Sequence, residues 1–86
     1  MYKLYIRLPS MKSKVDILKV FGENLKALRQ AKDLTQMDVA IALNSTPGYV
    51  SRLENGHNEP GLTVIYMLSE ALECTPSDLL PILPHK

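Results

Sequence analysis

The sequence predicts a small all-α domain of five short helices. Three observations support this fold class: apolar residues recur at intervals of three and four, Thr residues stand where helices would begin, and turn-forming residues stand where they would end. The chain has 86 residues, a length typical of one domain. With 45% hydrophobic and 22% charged residues, its composition is that of an ordinary folded protein and not of a disordered one.

The first two helices follow from apolar spacing and from a capping pattern. A helix is predicted over residues 15–32, where four apolar residues lie on one face: Leu18, Phe21, Leu25 and Leu28. A second begins after Thr35, because Thr35 and Asp38 have the spacing of a capping box, in which each side chain binds the other residue's backbone amide. This helix is expected to end at Asn44, since Asn tolerates the left-handed conformation.

Thr-Pro pairs predict the starts of the third and fifth helices, because Pro in a first helical turn loses no hydrogen bond. The third helix starts at Thr46-Pro47 and ends at Gly56, and the fifth runs from Thr75-Pro76 to Leu80. Between them, a fourth helix is predicted over residues 62–72. Its inward-facing stripe consists of Leu62, Ile65, Leu68 and Leu72.

The second and third helices are predicted to form a helix-turn-helix. Only Asn44 and Ser45 precede the cap Thr46, and so short a connection brings two helices together at a steep angle. The positions that this crossing depends on hold a small residue, a turn former and two apolar anchors, namely Ala40, Asn44, Val50 and Leu53.

From Phe21 to Leu80 the chain resembles the lambda-repressor/Cro-like (XRE-type) helix-turn-helix family of bacterial and phage DNA-binding proteins. The segments LKALRQAKDLTQMDVA, STPGYVSRLENG and EPGLTVIYMLSEAL carry the resemblance. It implies a five-helix lambda-repressor-like DNA-binding domain that usually acts as a dimer on a two-fold symmetric operator, as a repressor or an activator.

The resemblance also implies roles for individual residues. The third helix would enter the major groove, with candidate base readers on its outer face: Pro47, Gly48, Ser51 and Arg52. Pro47 and Gly48 have no side-chain donor, unlike the residues of better-known members, so readout would fall mainly on Arg52 and Ser51. An ion pair of Arg52 with Glu59 or another carboxylate is the alternative.

Phosphate contacts are implied at both ends of this unit. Gln36 lies at the start of the second helix, where its side chain and the helix amides could meet a phosphate, or where it could be a merely solvated residue. The other DNA-binding candidates lie at or after the third helix: Thr46, Tyr49, Asn55, His57 and Asn58. In relatives, the residues that correspond to Arg29 and Glu54 form an ion pair between the first and third helices, which implies a structural role here.

The charge distribution and the N-terminus leave alternatives open. The net charge of +1 combines +6 for residues 1–32 with −5 for residues 33–86, and the basic half is either a solvated face or a face offered to phosphate. Residues 2–8 alternate as in a strand, but no second strand pattern is present. An N-terminal extension, residues 1–13, is therefore a flexible arm, a strand that pairs with a second chain, or a segment upstream of a start at Met11; residues 14–86 are the helix-turn-helix domain.

Enzymatic function is not expected. His57 and His85 lack a nucleophile or a metal-ligand partner at a recognised spacing. The single cysteine, Cys74, excludes an internal disulfide and is expected to be a small buried hydrophobe in a reducing cytosol. No apolar run reaches the length of a membrane span. We expect a cytoplasmic protein with no metal and no cofactor.

These observations together predict a sequence-specific transcriptional regulator that binds double-stranded DNA as a homodimer on a near-palindromic operator. The dimer contact is expected at the C-terminal helix, through Leu79, Leu80, Ile82 and Leu83, and at the N-terminal strand if it pairs. A phage-type repressor, a restriction-modification controller and an antitoxin all remain open. The alternative function is a protein-interaction module that has lost DNA binding, since residues 33–60 hold one base, Arg52, among four acids.

Overall fold

The computed structural model describes residues 13–81, and within this range the chain is entirely helical apart from its connections. The helices are α1 (Lys14–Ala31), α2 (Gln36–Leu43), α3 (Pro47–Glu54), α4 (Leu62–Leu72) and α5 (Pro76–Leu79). Each lies within two residues of its predicted bounds, which confirms the predicted fold class. Residues 1–12 of the expected arm or strand (residues 1–13), and the apolar residues Ile82 and Leu83, lie outside the described residues.

Side-chain caps begin the helices where the sequence predicted them. The Thr35 hydroxyl accepts the Asp38 amide at 3.0 Å, while the Asp38 carboxylate accepts the Thr35 amide at 2.8 Å, so the capping box at α2 is confirmed. The Thr46 hydroxyl accepts the Tyr49 amide at 3.2 Å, with Pro47 as the first residue of α3. Ser13 caps α1 in the same way. Local hydrogen bonds thus define where α1, α2 and α3 start.

Left-handed residues follow four of the helices. Asn44 has φ 56° and ψ 45° at the end of α2, as predicted, and Gly56 has φ 75° just after α3. Asp33 and Glu73 adopt the same region after α1 and α4, with φ of 58° and 54°. The helices end at these points, and the turns after α2 and α4 bring α2 against α3 and α4 against α5.

All five helices contribute to one apolar core. α1 packs against α3 and α5, while α2 packs against α3 and α4. The predicted anchors Ala40, Val50 and Leu53 are fully buried. Within residues 13–81, the buried apolar residues are Phe21, Leu25, Val39, Ala40, Leu43, Val50, Leu53, Leu68, Leu72 and Leu79.

Two predictions about apolar faces are wrong. Leu79, expected in the dimer contact, is fully buried, and its backbone carbonyl accepts a hydrogen bond from the side-chain amide of Asn24 at 3.0 Å. Leu79 therefore belongs to the core of the protomer. Leu62, expected in the inner stripe of α4, is 71% exposed. Leu68 and Leu72 of α4 are buried in the core, and Val64 and Ile65 are partly buried against it. The first residue of that helix lies beyond this contact.

Gly22, in the middle of α1, is the point at which α1 and α3 approach most closely. A Cβ on Gly22 would lie 2.4 Å from the carbonyl oxygen of Glu54 and 2.6 Å from that of Leu53. Both obstacles are backbone atoms, so they cannot rotate away as a side chain would. The α1–α3 distance therefore depends on the missing side chain.

We expect Gly22→Ala to destabilise the protein, although Ala is the better helix former. Separating α1 from α3 to admit a methyl group has the cost of core overpacking, about 1–3 kcal/mol of unfolding free energy. Urea denaturation measures this change. Gly48→Ala is the matched control, because a Cβ at Gly48 meets only the Thr46 hydroxyl at 3.9 Å. Equal stability of the two variants would contradict the close-approach argument.

Candidate nucleic-acid interface

The connection between α2 and α3 has the geometry of a helix-turn-helix. The left-handed Asn44 ends α2, the Ser45 amide donates to the Ala40 carbonyl at 2.8 Å, and Thr46 already caps α3. Ala40 has no exposed surface, as the close crossing of the two helices requires. The crossing leaves one side of α3 directed away from the core.

The two sides of α3 differ sharply in exposure. Val50 and Leu53 are fully buried, whereas Gly48 and Arg52 are exposed on the opposite side. The remaining predicted contacts fall into two groups by exposure: Pro47, Tyr49, Ser51 and Asn58 are half-buried, and Thr46, Asn55 and His57 are exposed. The predicted candidates at and after α3 therefore lie at least partly accessible along this helix and the loop that follows it.

Several of these polar groups also bond to one another or to the backbone. The Asn55 side-chain amide donates to the Ser51 hydroxyl at 3.4 Å, one turn earlier on the same face. Because that hydroxyl accepts this bond, its own proton stays available to donate. The His57 amide donates to the Arg52 carbonyl at 2.8 Å, so the loop after α3 folds back on the helix end.

Arg52 and Glu59 do not pair. The Glu59 carboxylate instead binds the Lys14 ammonium at 3.0 Å, which ties the start of α1 to the loop between α3 and α4. Within residues 13–81, Arg52 takes part in no ion pair. Its guanidinium, with five donors in a planar fork, is accessible to a ligand.

Arg29 and Glu54, the pair implied by the family resemblance, are in direct contact between α1 and α3. Arg29 Nε donates to Glu54 Oε2 at 2.6 Å, and Arg29 Nη2 donates to Oε1 at 3.1 Å. Their side chains are 11% and 3% exposed. A third donor of Arg29, Nη1, binds the Leu34 carbonyl at 2.8 Å, just before α2. One guanidinium thus joins α1, α3 and the α1–α2 connection.

Glu54 keeps Arg29 charged in this buried position. Hydrogen bonding to the Glu54 carboxylate raises the pKa of Arg29, and the opposite charge of Glu54 raises it further, against the lowering effect of burial. The buried Arg29 guanidinium therefore stays protonated.

Gln36, the first residue of α2, is half-buried, and its side chain reaches the same carboxylate. Its Nε2 donates to Glu54 Oε1 at 3.0 Å. Sequence reasoning missed this bond, because the two residues are 18 positions apart on different helices and only the packing of α2 against α3 brings them together. Gln36 is thus more than a solvated residue of the first turn.

The histidine and cysteine side chains of the described region form no reactive centre. Within residues 13–81 no group of three His, Cys, Asp or Glu side chains could hold a metal ion. Cys74 is half-buried against the core, where desolvation raises the pKa of its thiol above the usual value. His85 lies outside the described range. None of the helices from α1 to α5 is long and apolar enough to cross a bilayer.

Glu54→Ala is expected to lower the free energy of unfolding by about 3–5 kcal/mol, because it leaves the Arg29 charge buried without its partner. Urea denaturation and the melting temperature report this loss. Glu73→Ala is the matched control: it removes the partner of Lys32 in an exposed pair, and exposed pairs contribute little. An unchanged melting temperature in Glu54→Ala would show that the buried pair is not structural.

Comparisons with known proteins agree with this geometry. The helix-turn-helix family model HTH_3 matches residues 25–79. The restriction-modification controller protein C.AhdI from Aeromonas hydrophila is 35% identical with a TM-score of 0.70, over 73% of this chain and 96% of that one. The P22 c2 repressor, in complex with a synthetic operator, is 28% identical with a TM-score of 0.67, over 71% and 92%. The comparison with curated proteins gave no match.

One enzyme also shares the fold. Hydroxypropylphosphonic acid epoxidase from S. wedmorenis is 28% identical with a TM-score of 0.74, but the match covers 80% of this chain and only 36% of the enzyme. The matching family model describes a helix-turn-helix domain. The two neighbours that match over most of their length, C.AhdI and the P22 c2 repressor, are transcription regulators. The chain therefore belongs to the lambda-repressor-like (XRE-type) helix-turn-helix family of DNA-binding regulators.

Proposed function

We propose that this protein is a sequence-specific transcriptional regulator that binds a near-palindromic operator as a homodimer, with α3 in the major groove. The observation that carries the proposal is the exposed side of α3. It presents Arg52 without an ion-pair partner among residues 13–81, while the opposite side is locked in the core by Val50 and Leu53. A rigid helix with an accessible guanidinium suits readout of a base pair.

Direct readout rests chiefly on one residue. Arg52 can donate two parallel hydrogen bonds to O6 and N7 of a guanine, a contact that discriminates by about 1–3 kcal/mol. Ser51 can donate its hydroxyl proton to a neighbouring acceptor. Pro47 and Gly48 offer no side-chain donor, but their small size lets the start of α3 approach the base edges closely. We expect one strongly preferred guanine in each half-site.

Phosphate contacts frame this readout. Gln36 and the first amides of α2 form the candidate contact on one side, since the positive end of a helix dipole favours an anion. On the other side lies the loop with Asn55 and His57. A Cβ added to Gly56 in this loop would lie 3.4 Å from the Cα of Lys19 in α1, so the backbone of a basic residue of α1 lies beside the same loop.

The dimer surface is proposed on α4 and after α5. Leu62 and Tyr66 lie one turn apart on α4 and are 71% and 58% exposed, and Leu80, which follows α5, is 38% exposed. These residues replace the buried Leu79 in the expected contact. A two-fold dimer would place its recognition helices about 34 Å apart, in successive major grooves.

The competing function is a protein-interaction module with the same fold. Its support is the acidic balance of residues 33–60 and an apolar pair on the exposed side of α2, Met37 and Ile41, which are 53% and 70% exposed. Such a module would not select a DNA sequence. The similarity to a restriction-modification controller and to the P22 c2 repressor favours a transcriptional regulator, which would act in the cytoplasm. The genes beside the selected operator would show whether it is a controller or a repressor of these kinds.

We expect the wild-type protein to enrich one near-palindromic duplex from a random library, and Arg52→Ala to bind that duplex about five- to 150-fold more weakly. Gel shift at fixed salt measures both affinities. Lys32→Ala removes an equal charge from a residue bound to Glu73 and is expected to bind normally. If the wild-type protein enriches no sequence at low salt, the interaction module is favoured; unchanged affinity in Arg52→Ala would contradict the assignment of α3.

Sedimentation at tens of micromolar should show a dimer for the wild-type chain and a monomer for Tyr66→Glu, since a charge cannot be buried in an apolar contact without a partner. The monomer is also expected to lose cooperative binding to the two half-sites. Ile41→Glu makes the same kind of change on α2 and should remain dimeric. A monomeric wild-type protein, or a dimeric Tyr66→Glu, would refute the α4 surface.

A further inference from the structure

We propose that Glu54 is a positioning residue for DNA binding: it holds the side-chain amide of Gln36 in the one orientation that offers an N–H group to a phosphate. The inference rests on the proposed function and deepens it. It gives the buried ion pair of α1 and α3 a second role beyond stability.

The Glu54 carboxylate connects the buried Arg29 to Gln36 at the start of α2 by hydrogen bonds. Glu54 Oε2 accepts Arg29 Nε at 2.6 Å, while Oε1 accepts both Arg29 Nη2 at 3.1 Å and Gln36 Nε2 at 3.0 Å. The Glu54 side chain is only 3% exposed, and Arg29 binds both of its carboxylate oxygens, so the carboxylate is held in place. Its Oε1 is therefore a fixed acceptor for Gln36.

An ionised carboxylate can accept hydrogen bonds but cannot donate them, so it determines which end of the Gln36 side-chain amide faces it. The NH2 group must turn toward Glu54, and one of its two protons is used there. A DNA phosphate is also only an acceptor, so the carbonyl oxygen of Gln36 cannot bind it. The second proton of the same NH2 group is the donor that remains for the phosphate.

Holding the amide in advance changes affinity because a free glutamine samples several rotamers and both orientations of its amide. Immobilising such a side chain on binding weakens affinity by about two- to tenfold, and a side chain that is already held avoids this loss. Arg29 strengthens the arrangement, since it also binds the Leu34 carbonyl two residues before Gln36. The backbone at the start of α2 and the Gln36 side chain thus depend on one guanidinium.

A double-mutant cycle on the selected operator duplex tests the inference. Affinities of Gln36→Ala, Glu54→Gln and the double variant are measured by fluorescence anisotropy well below each melting temperature. Each single change should weaken binding about two- to tenfold, and the double variant should be no weaker than the weaker single variant. Ethylation interference should lose the same phosphate in both single variants. Independent, additive losses would overturn the inference.

The control for the lost carboxylate is Glu73→Gln, which breaks the exposed pair with Lys32 and should bind DNA as the wild type does. Reduced affinity in this control would show that loss of any carboxylate acts at a distance, and would overturn the specific link. If the wild-type protein selects no duplex, the proposed function fails and the inference fails with it. If the wild-type protein binds its operator but the affinity losses of the two single variants add in the double variant, the positioning role of Glu54 is refuted and the proposed function stands.

Glu54→Gln loses a buried charge, so a second measurement uses the wild-type protein. The chain has two glutamines: Gln36, bound to Glu54, and Gln30, exposed on α1. In the free protein, one side-chain amide proton of Gln36 should exchange with water more slowly than the other by NMR, while the two protons of Gln30 exchange alike. Equal, fast exchange of both Gln36 protons would overturn the inference.

Discussion

The buried contact between Arg29 and Glu54 is the interaction on which the arrangement of the helices depends. Two charges that are nearly excluded from solvent must stay together, because separating them leaves an unpaired charge in the core. Gly22 adds a steric condition at the same place, since α1 can approach the end of α3 only where it carries no side chain. Charge and space therefore fix α1 against α3 jointly, and neither helix can shift alone.

The same contact determines how α2 and α3 are presented to a ligand. Arg29 also binds the connection before α2, and Glu54 also binds its first residue, so the ion pair reaches three helices. Ala40 and Asn44 then set the crossing and the turn between α2 and α3. The exposed side of α3 is consequently presented by a rigid frame, which lowers the entropy lost on binding.

Local signals were sufficient to predict the helices, and the family resemblance implied the Arg29–Glu54 contact, whereas two other contacts between helices were not predictable. Capping at Thr35 and Thr46 and the left-handed Asn44 act within a few residues, so spacing in the sequence reveals them. The Gln36–Glu54 bond and the close approach at Gly22 join residues distant in the chain, and no periodicity encodes such a distance. The prediction that Leu62 is buried was wrong for a related reason. Its spacing places Leu62 on the apolar face of α4, but tertiary packing decides which part of that face is covered.

The near-zero net charge has a structural counterpart that shapes how this protein would hold DNA. Lys14 at the start of α1 and Lys32 just after its end bind acids from the other half of the chain, in the pairs Lys14–Glu59 and Lys32–Glu73. Among residues 13–81, Lys19, Lys26 and Arg52 take part in no such ion pair. These three cations from each chain of the proposed dimer, if each binds a phosphate, would contribute about −5 to the slope of log affinity against log salt, half the slope of strongly basic binders. Specific affinity must then come from hydrogen bonds that are positioned before the DNA arrives, which is the property that the Arg29–Glu54 frame confers on Gln36.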